Sequence, residues 1–328
     1  MKKVFITGCA GYIAGVVCEK LLDLGYSVSG IDDLSNSYKE NVKKEVKFFK
    51  GNYGDKELLD KIFNEEKPEV VLHFAAETTI AYSMTDPYKY FENNLLNGLS
   101  LLESMRSSNI TNIIVSSTAA VYGIPEFLPI NEKHSLNPMN AYGESKLMLE
   151  KALKWYGTAY GFQYNVFRYF NASGATERSG ENRKDESHIL PLIYNAILNK
   201  KEFKIYGDDY FTKDGTCIRD YIHVEDIADA HIKALDNLNL HPAGIYNLGS
   251  GKGVSVKELV KACEEVLNTY IKIRYENKRT GDPAELVAAF DKAHNELGWD
   301  PVNSDLENII NSGFIWYKKI NASNDINV

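Results

Sequence analysis

Val4-Phe5-Ile6-Thr7-Gly8-Cys9-Ala10-Gly11-Tyr12-Ile13-Ala14 runs from an apolar stretch straight into small residues at positions 8, 11 and 14. The first four residues have the length and composition of a buried strand, and Gly8-x-x-Gly11-x-x-Ala14 opens a helix behind it. Glycines in that place permit a tight turn and let backbone approach a pyrophosphate, which rests on the free N–H groups of the helix N-terminus. A glycine-rich turn alone is weak evidence, because turns use glycine for purely structural reasons. Outward from it come five more strand-length runs: 27–31 (SVSGI), 46–50 (VKFFK), 69–74 (EVVLHF), 112–117 (NIIVSS) and 164–170 (YNVFRYF). Between them leucines recur at helical spacing, as in residues 57–64 and 94–106. Six strands with intervening helices cannot close as hairpins, so they imply a parallel sheet covered on both faces. The fold class is α/β, a doubly wound parallel sheet followed by a smaller mixed α/β domain.

We expect residues 1–171 to form the sheet domain, with about 220–245 (from DYIHVEDIADAHIKAL) packing back on it and 172–328 mainly forming the second domain. A length of 328 residues, 44% hydrophobic and 25% charged, fits two soluble domains and excludes a disordered chain. The net charge of −8 speaks against a nucleic-acid partner held by a basic face. No apolar stretch approaches the roughly 20 residues of a membrane span, and MKKVFITGCAGY lacks a signal-peptide core, so a cytoplasmic location is expected. Cys9, Cys18, Cys217 and Cys263 show no metal-ligand spacing and read as reduced thiols; no metal is expected. The last ten residues, KINASNDINV, are polar and are expected to fray.

Asp32 ends the second strand, about 20 residues beyond the glycine turn, where a carboxylate accepts from a ribose 2′-hydroxyl and repels a 2′-phosphate. The Rossmann-type site should therefore take NAD rather than NADP, with Ala14 at the third small position. Tyr142 and Lys146 lie at i and i+4 on a predicted helix, so they share a face. Such a pair can deprotonate a hydroxyl, the ammonium and a nicotinium charge favouring the phenolate. With 21 tyrosines in a lysine-rich chain such a spacing is expected at random, so by itself it is poor evidence; position is what counts. This helix follows the strand ending in Ser116-Ser117-Thr118, and parallel sheets place their sites beyond the carboxyl ends of strands. Thr118 could relay a hydrogen bond between substrate and Tyr142. His73 and His223 read as structural histidines.

TGCAGYI, SSTAAVYG, YGESK, RYFNASGA, DGTCIRDYIHVEDIA, YNLGSG and KRTGDPAELV, in this order, resemble the extended short-chain dehydrogenase/reductases. Within them the likeness is to the branch that interconverts UDP-glucose and UDP-galactose at C4, and it spans residues 1 to about 316. The resemblance implies NAD held through turnover, Tyr142 as base, Lys146 on the nicotinamide ribose lowering the tyrosine pKa, and Thr118 at the family's Ser/Thr position. It extends the cofactor set of Gly8, Gly11 and Asp32 to Tyr12, Ile13, Asp33, Asn36, Asn52, Tyr53, Phe74, Ala75, Ala76, Asn94 and Tyr169. For a UDP-sugar it implies Arg219 and Arg279 on the diphosphate, Asn171 beside them, Lys204, Ile205 and Tyr206 on uracil, and Asp282 on ribose. His188 and Ile189 fall in the loop approaching the uridine. A homodimer through the helices at 94–106 and 142–160 is also implied.

Two positions depart from the family: Asn52 stands where an aspartate usually meets the adenine amino group, and Thr78 where some members have a lysine. Leu286 occupies the position beside the sugar C2 substituent. Its intermediate bulk leads us to expect N-acetylated UDP-hexosamines to be turned over, though less well than the plain hexoses. A nucleotide-sugar 4,6-dehydratase would need an acid and a base just after Thr118, where this chain has Ala119 and Ala120. Two rival readings stay open beside it: an epimerase of a different UDP-sugar, such as a uronic acid, and a non-catalytic NAD-binding protein.

Overall fold

The computed structural model describes residues 2–279 and 281–324. Its first half alternates β1 (Lys3–Thr7), α1 (Tyr12–Asp23), β2 (Ser27–Asp32), β3 (Lys47–Lys50), α2 (Lys56–Glu66), β4 (Val70–His73), the short α3 (Ile80–Ser83) and α4 (Pro87–Tyr90), α5 (Asn97–Ser107), β5 (Asn112–Thr118), α6 (Ala141–Tyr160) and β6 (Gln163–Tyr169). The second half adds β7 (Asn171–Ser173), α7 (Ile189–Leu198), β8 (Phe203–Tyr206), β9 (Ile218–His223), α8 (Val224–Asn237), β10 (Ala243–Leu248), β11 (Gly253–Ser255), α9 (Val256–Val266), β12 (Ile273–Glu276), β13 (Glu285–Leu286), α10 (Asp291–Leu297) and α11 (Leu306–Asn324).

The central sheet runs β10-β6-β5-β4-β1-β2-β3, parallel at every pairing. All six strands read from the sequence are in it. The seventh, β10, joins beside β6 with Ala243 opposite Tyr164. Both faces are covered, as near-continuous apolar strands demand. Val4, Ile6, Leu72 and Phe167 pack beneath α1, α8 and Trp299, while Phe5, Val71, Ile113 and Val115 pack beneath α2, α5 and α6. The chain that returns to the sheet is thus longer than 220–245, because β10 and the Trp299 region share its core. A third cluster, including Leu190, Ile205, Tyr221 and Ile310, forms the smaller layer.

Two details differ from the sequence reading. Residues 91–96 form a wider π-type turn before α5, so the helix expected over 94–106 begins at Asn97. The KINASNDINV end is helical as far as Asn324, since α11 packs on α7 and α9; residues 325–328 lie outside the described residues. No helix among the described residues is long and apolar enough to cross a membrane.

Candidate active site

The carboxyl ends of the central strands open into a cleft of about 1220 Å³ that continues into the smaller layer. Gly8 sits at φ +70°, and a Cβ there would lie 2.7 Å from the Ala75 nitrogen, so only glycine lets these two backbones meet. Gly11 caps α1, its N–H donating to the Gly8 carbonyl at 2.9 Å, and no side chain caps the helix. The first-turn N–H groups of α1 are left for an anion. Asp32 closes the opposite side. Its Oδ2 accepts from Ala10 N at 3.0 Å, and its Oδ1 from Leu34 N at 2.8 Å and Ser37 Oγ at 2.9 Å. Burial raises its pKa and these donors pull it back, which leaves carboxylate lone pairs for a hydroxyl. A pyrophosphate cradle, a ribose acceptor and a wall of Ile13, Phe74, Ala75, Ala76 and Tyr169 fit a dinucleotide.

Tyr12 also lines the cleft, its hydroxyl donating to the Gly174 carbonyl at 2.5 Å, and Tyr53 donates to the Asn93 carbonyl. Asp33 accepts from Ser35 N at 2.8 Å. Asn36 meets a strap, residues 176–188, that crosses the loop after β2. Its Oδ1 accepts from Asp185 N at 2.9 Å, while Ser37 bridges to Arg183. Asn52 and Asn94 are not on the main cleft. Asn52 accepts from Gly54 N at 2.7 Å beside a shallow neighbouring groove that Asp33 and Ser35 share. Asn94 is buried and bonds Glu77 N and O and the Ser145 hydroxyl, tying the loop after β4 to α6.

Asn140 caps α6 by accepting from Gly143 N at 2.8 Å, and a Cβ on Gly143 would lie 2.6 Å from the Ala120 carbonyl oxygen. The helix start therefore seats directly on the turn after Thr118, bringing Tyr142, Lys146 and Thr118 to the same part of the cleft. Lys146 is buried, and its Nζ donates to the Ser116 carbonyl at 2.9 Å. Burial pushes its pKa down to about 8, against the pull of Glu150. Burial raises the Tyr142 pKa, while Thr118 and Arg183 lower it. The Lys146 ammonium is bonded to the strand end in this geometry.

At the far end β13 pairs with β9, setting Leu286 opposite Arg219, where it packs half-buried against the cluster of Ala119, Tyr122 and Phe170. Arg219 is ion-paired with Asp282 and donates to the Ile218 carbonyl at 2.8 Å. The Arg279 guanidinium lies 3.9 Å from the centre of the Tyr206 ring. Asn171, Lys204, Ile205 and Ile189 also line the cleft; Lys204 lies 3.6 Å from Glu276. His188 Nδ1 is 2.6 Å from Glu181, which also pairs with Arg183 Nε at 3.0 Å. Burial, then the Glu181 charge, raises Glu186 to about 7. Glu181, Glu186 and His188 bring ligand atoms within 4.8 Å of one another, but the contacts of Glu181 are those of an ion-pair cluster. Glu181, Asn182 and Arg183 have no signal in the sequence: the strap is polar and aperiodic, and no spacing marks its fold across the cleft. His223 and His73 are buried; His73 Nδ1 meets Thr7 Oγ1 at 2.7 Å and His223 Nε2 meets Ser312 Oγ at 3.0 Å.

Residues 4–249 match the NAD dependent epimerase/dehydratase family. A UDP-glucose 4-epimerase of Halalkalibacterium halodurans is 41% identical over 320 residues, 96% of each chain. The crystal structure of the Bifidobacterium longum UDP-glucose 4-epimerase in complex with NAD+ and UDP is 36% identical. It superposes with a TM-score of 0.93 over 97% of this chain and 98% of that one. The UDP-Glc/GlcNAc 4-epimerase of Campylobacter jejuni, also 36% identical, gives 0.84 over 97% of this chain and 100% of that one.

Proposed function

The chain belongs to the NAD dependent epimerase/dehydratase family, and from that premise we propose that it interconverts UDP-glucose and UDP-galactose by inversion at C4, with NAD as resident cofactor. The observation that carries the reading is the meeting of Tyr142, Lys146 and Thr118 at the end of β5, between the Gly8–Asp32 wall and a cleft leading to Arg219 and Arg279. When bound, NAD supplies a reversible acceptor for the C4 hydride. Tyr142 takes the C4 hydroxyl proton and later returns it, while the Thr118 hydroxyl holds that oxygen to the phenol. Lys146 holds the nicotinamide ribose and, once turned from Ser116, adds positive charge beside the phenolate. Arg219 and Arg279 grip the diphosphate, Asn171 beside them, so that the 4-keto sugar can turn over and present its other face. Lys204, Ile205 and Tyr206 receive the uracil, Asp282 its ribose, and His188 and Ile189 close the loop above.

Several finer points belong to the same proposal. Leu286, half-buried, leaves more room at C2 than a tyrosine would, and we assign slower turnover of N-acetylated UDP-hexosamines. Likeness to the C. jejuni enzyme supports this. Residues 1–171, with the returning chain from about 220 through β10 and the Trp299 region, hold NAD, and the rest of 172–328 mainly holds the UDP-sugar. Exposed Leu96, Met148, Trp155 and Tyr160 lie around α5 and α6, the face through which a homodimer would form. Four buried free thiols suit a reducing cytoplasm. Ala119 and Ala120 line the cleft beside Thr118 and cannot move a proton, which disfavours the dehydratase.

The test is incubation of the purified protein with UDP-galactose and no added NAD. An isomer of unchanged mass supports the reading; loss of water makes the protein a dehydratase. No turnover even with added NAD sends the question to another UDP-sugar, or to binding without catalysis.

A further inference from the structure

One helical turn below Lys146, Glu150 is buried with a full set of partners. Its Oε1 accepts from the Ser117 hydroxyl at 2.5 Å and from Arg168 Nε at 3.2 Å, and its Oε2 from Arg168 NH2 at 2.6 Å. Arg168 stands opposite Ser117 in the β5–β6 ladder, so the bidentate pair joins α6 to both strands. Its remaining NH1 donates to the Tyr122 hydroxyl at 3.0 Å, and Tyr122 donates to Asn247 Oδ1 of β10 at 2.6 Å. The chain of bonds therefore pins the strand end that carries Ser116 and Thr118, and the turn on which Tyr142 is seated. A buried pair of this kind is a poor way to add stability, because desolvation offsets most of the attraction. Its place beneath Lys146 calls for a different account.

We propose that Glu150, held by Arg168 and Ser117 one helical turn from Lys146, is a positioning residue for the active site: it anchors the strand end whose Ser116 carbonyl receives the Lys146 ammonium, and it places a buried negative charge on that side of the lysine. The inference rests on the reading of Tyr142 and Lys146 as the proton-transfer pair. Lys146 is faced on its own helix by Tyr142 and Glu150, on β5 by the Ser116 carbonyl and hydroxyl, and on β4 by His73. Burial pushes His73 down to about 3, which leaves it neutral, and Glu150 is the acidic group acting on Lys146. Glu150 is faced in turn by Arg168 and Tyr164 from β6 and by Ser117 from β5. Without its carboxylate the buried ammonium would shed its proton nearer neutrality, and the phenolate of Tyr142 would lose its cation.

The two halves of the pair give opposite signs. E150Q leaves Arg168 as an unbalanced cation, so the pH at which Lys146 loses half its charge falls by about one, a tenfold loss of proton affinity. R168M leaves Glu150 unbalanced, and the same midpoint rises. Both substitutions weaken the fold, so a merely structural role would lower the melting temperature in both and move the Lys146 midpoint in neither. The measurement is NMR titration of isotope-labelled lysine ε-carbons in the full chain, with the Lys146 signal assigned through K146R. The pH profile of UDP-galactose turnover is recorded beside it. Midpoints moving in opposite directions, with the alkaline limb of the profile falling in E150Q, establish the role. Midpoints that stay put, or move together, overturn it. If the wild-type chain turns over no UDP-sugar, the functional reading fails on its own, while the lysine titration still decides whether Glu150 governs Lys146.

Discussion

At the Gly8 end of the cleft the wall is set by backbone: a left-handed glycine against Ala75, an uncapped helix start, and an aspartate held by two N–H groups and a hydroxyl. At the Arg219 end it is set by long side chains already engaged with one another: Arg219 on Asp282, Arg279 on Tyr206, Lys204 near Glu276 and His188 on Glu181. The first end is built to receive a ligand with little rearrangement. The second must exchange internal partners for ligand, and each exchange offsets part of what the new contact contributes. That contrast suits a cofactor that stays through many turnovers beside a substrate that leaves after each.

The largest effect should come where the two ends meet. Y142F should lower kcat by about 10³-fold, in the range of a lost general base, while the purified protein still carries its cofactor. A variant retaining full activity would remove Tyr142 from the chemistry. Next, G8A places a Cβ 2.7 Å from backbone at φ +70°, and should lower cofactor affinity more than about a hundredfold. NAD found at wild-type stoichiometry in this variant would show that the backbone does not set that wall.

Acid should attack the backbone-built end through its buried histidines. His231 donates from Nδ1 to the Ile227 carbonyl at 2.9 Å, so its Nε2 accepts from the Tyr169 hydroxyl, and the ring is neutral. Burial pushes His231 and His223 down to about 4 and His73 to about 3, from an ordinary 6.5. The unfolded chain then binds more protons than the folded one below that ordinary value. Stability is full above it and is lost as pH falls toward 4, by about 2 kcal/mol per histidine at pH 5. Denaturant midpoints that stay level between about pH 7 and pH 5 would contradict this.

The same contrast explains what could be read from the sequence. The six first strands, the glycine turn, Asp32 and the α6 pair are legible because they rest on local periodicity and on residue types that only backbone geometry selects. The seventh strand is not, because AGIYNL gains its place only by pairing with β6 across 79 residues of chain, Ala243 against Tyr164. The substrate end is reached only through resemblance, since Arg219, Arg279 and Asp282 carry no spacing of their own. Glu150 and Arg168 give no sign at all: a charged residue on a helix looks solvated until the sheet buries it.

At the side-chain end, R219A should raise the KM for UDP-galactose by about 10- to 100-fold, the worth of a charged hydrogen bond, and leave Asp282 to repel the diphosphate. Bound NAD should be unaffected, and kcat should change by less than about twofold, if Arg219 grips the diphosphate, as proposed, and not the reacting carbon. A fall in kcat matching that of Y142F would mean that the two ends are not separable.

The smallest effect belongs to Leu286. It touches only one face of the substrate end, sitting opposite Arg219 with its side chain on Ala119, Tyr122 and Phe170. L286A opens space without removing a polar partner, so UDP-galactose turnover should fall little. The ratio of UDP-N-acetylglucosamine to UDP-galactose turnover, compared at equal concentration, should rise about fivefold to tenfold, the scale of a few methylenes in an apolar wall. L286Y should drive the ratio the other way, since a ring there occupies the volume an acetamido group needs. Opposite movements in the two variants would place the C2 substituent against β13. A ratio unmoved in both would mean that discrimination at C2 comes from some other wall, and that the sugar seats deeper toward Thr118 than the Arg219–Leu286 register suggests.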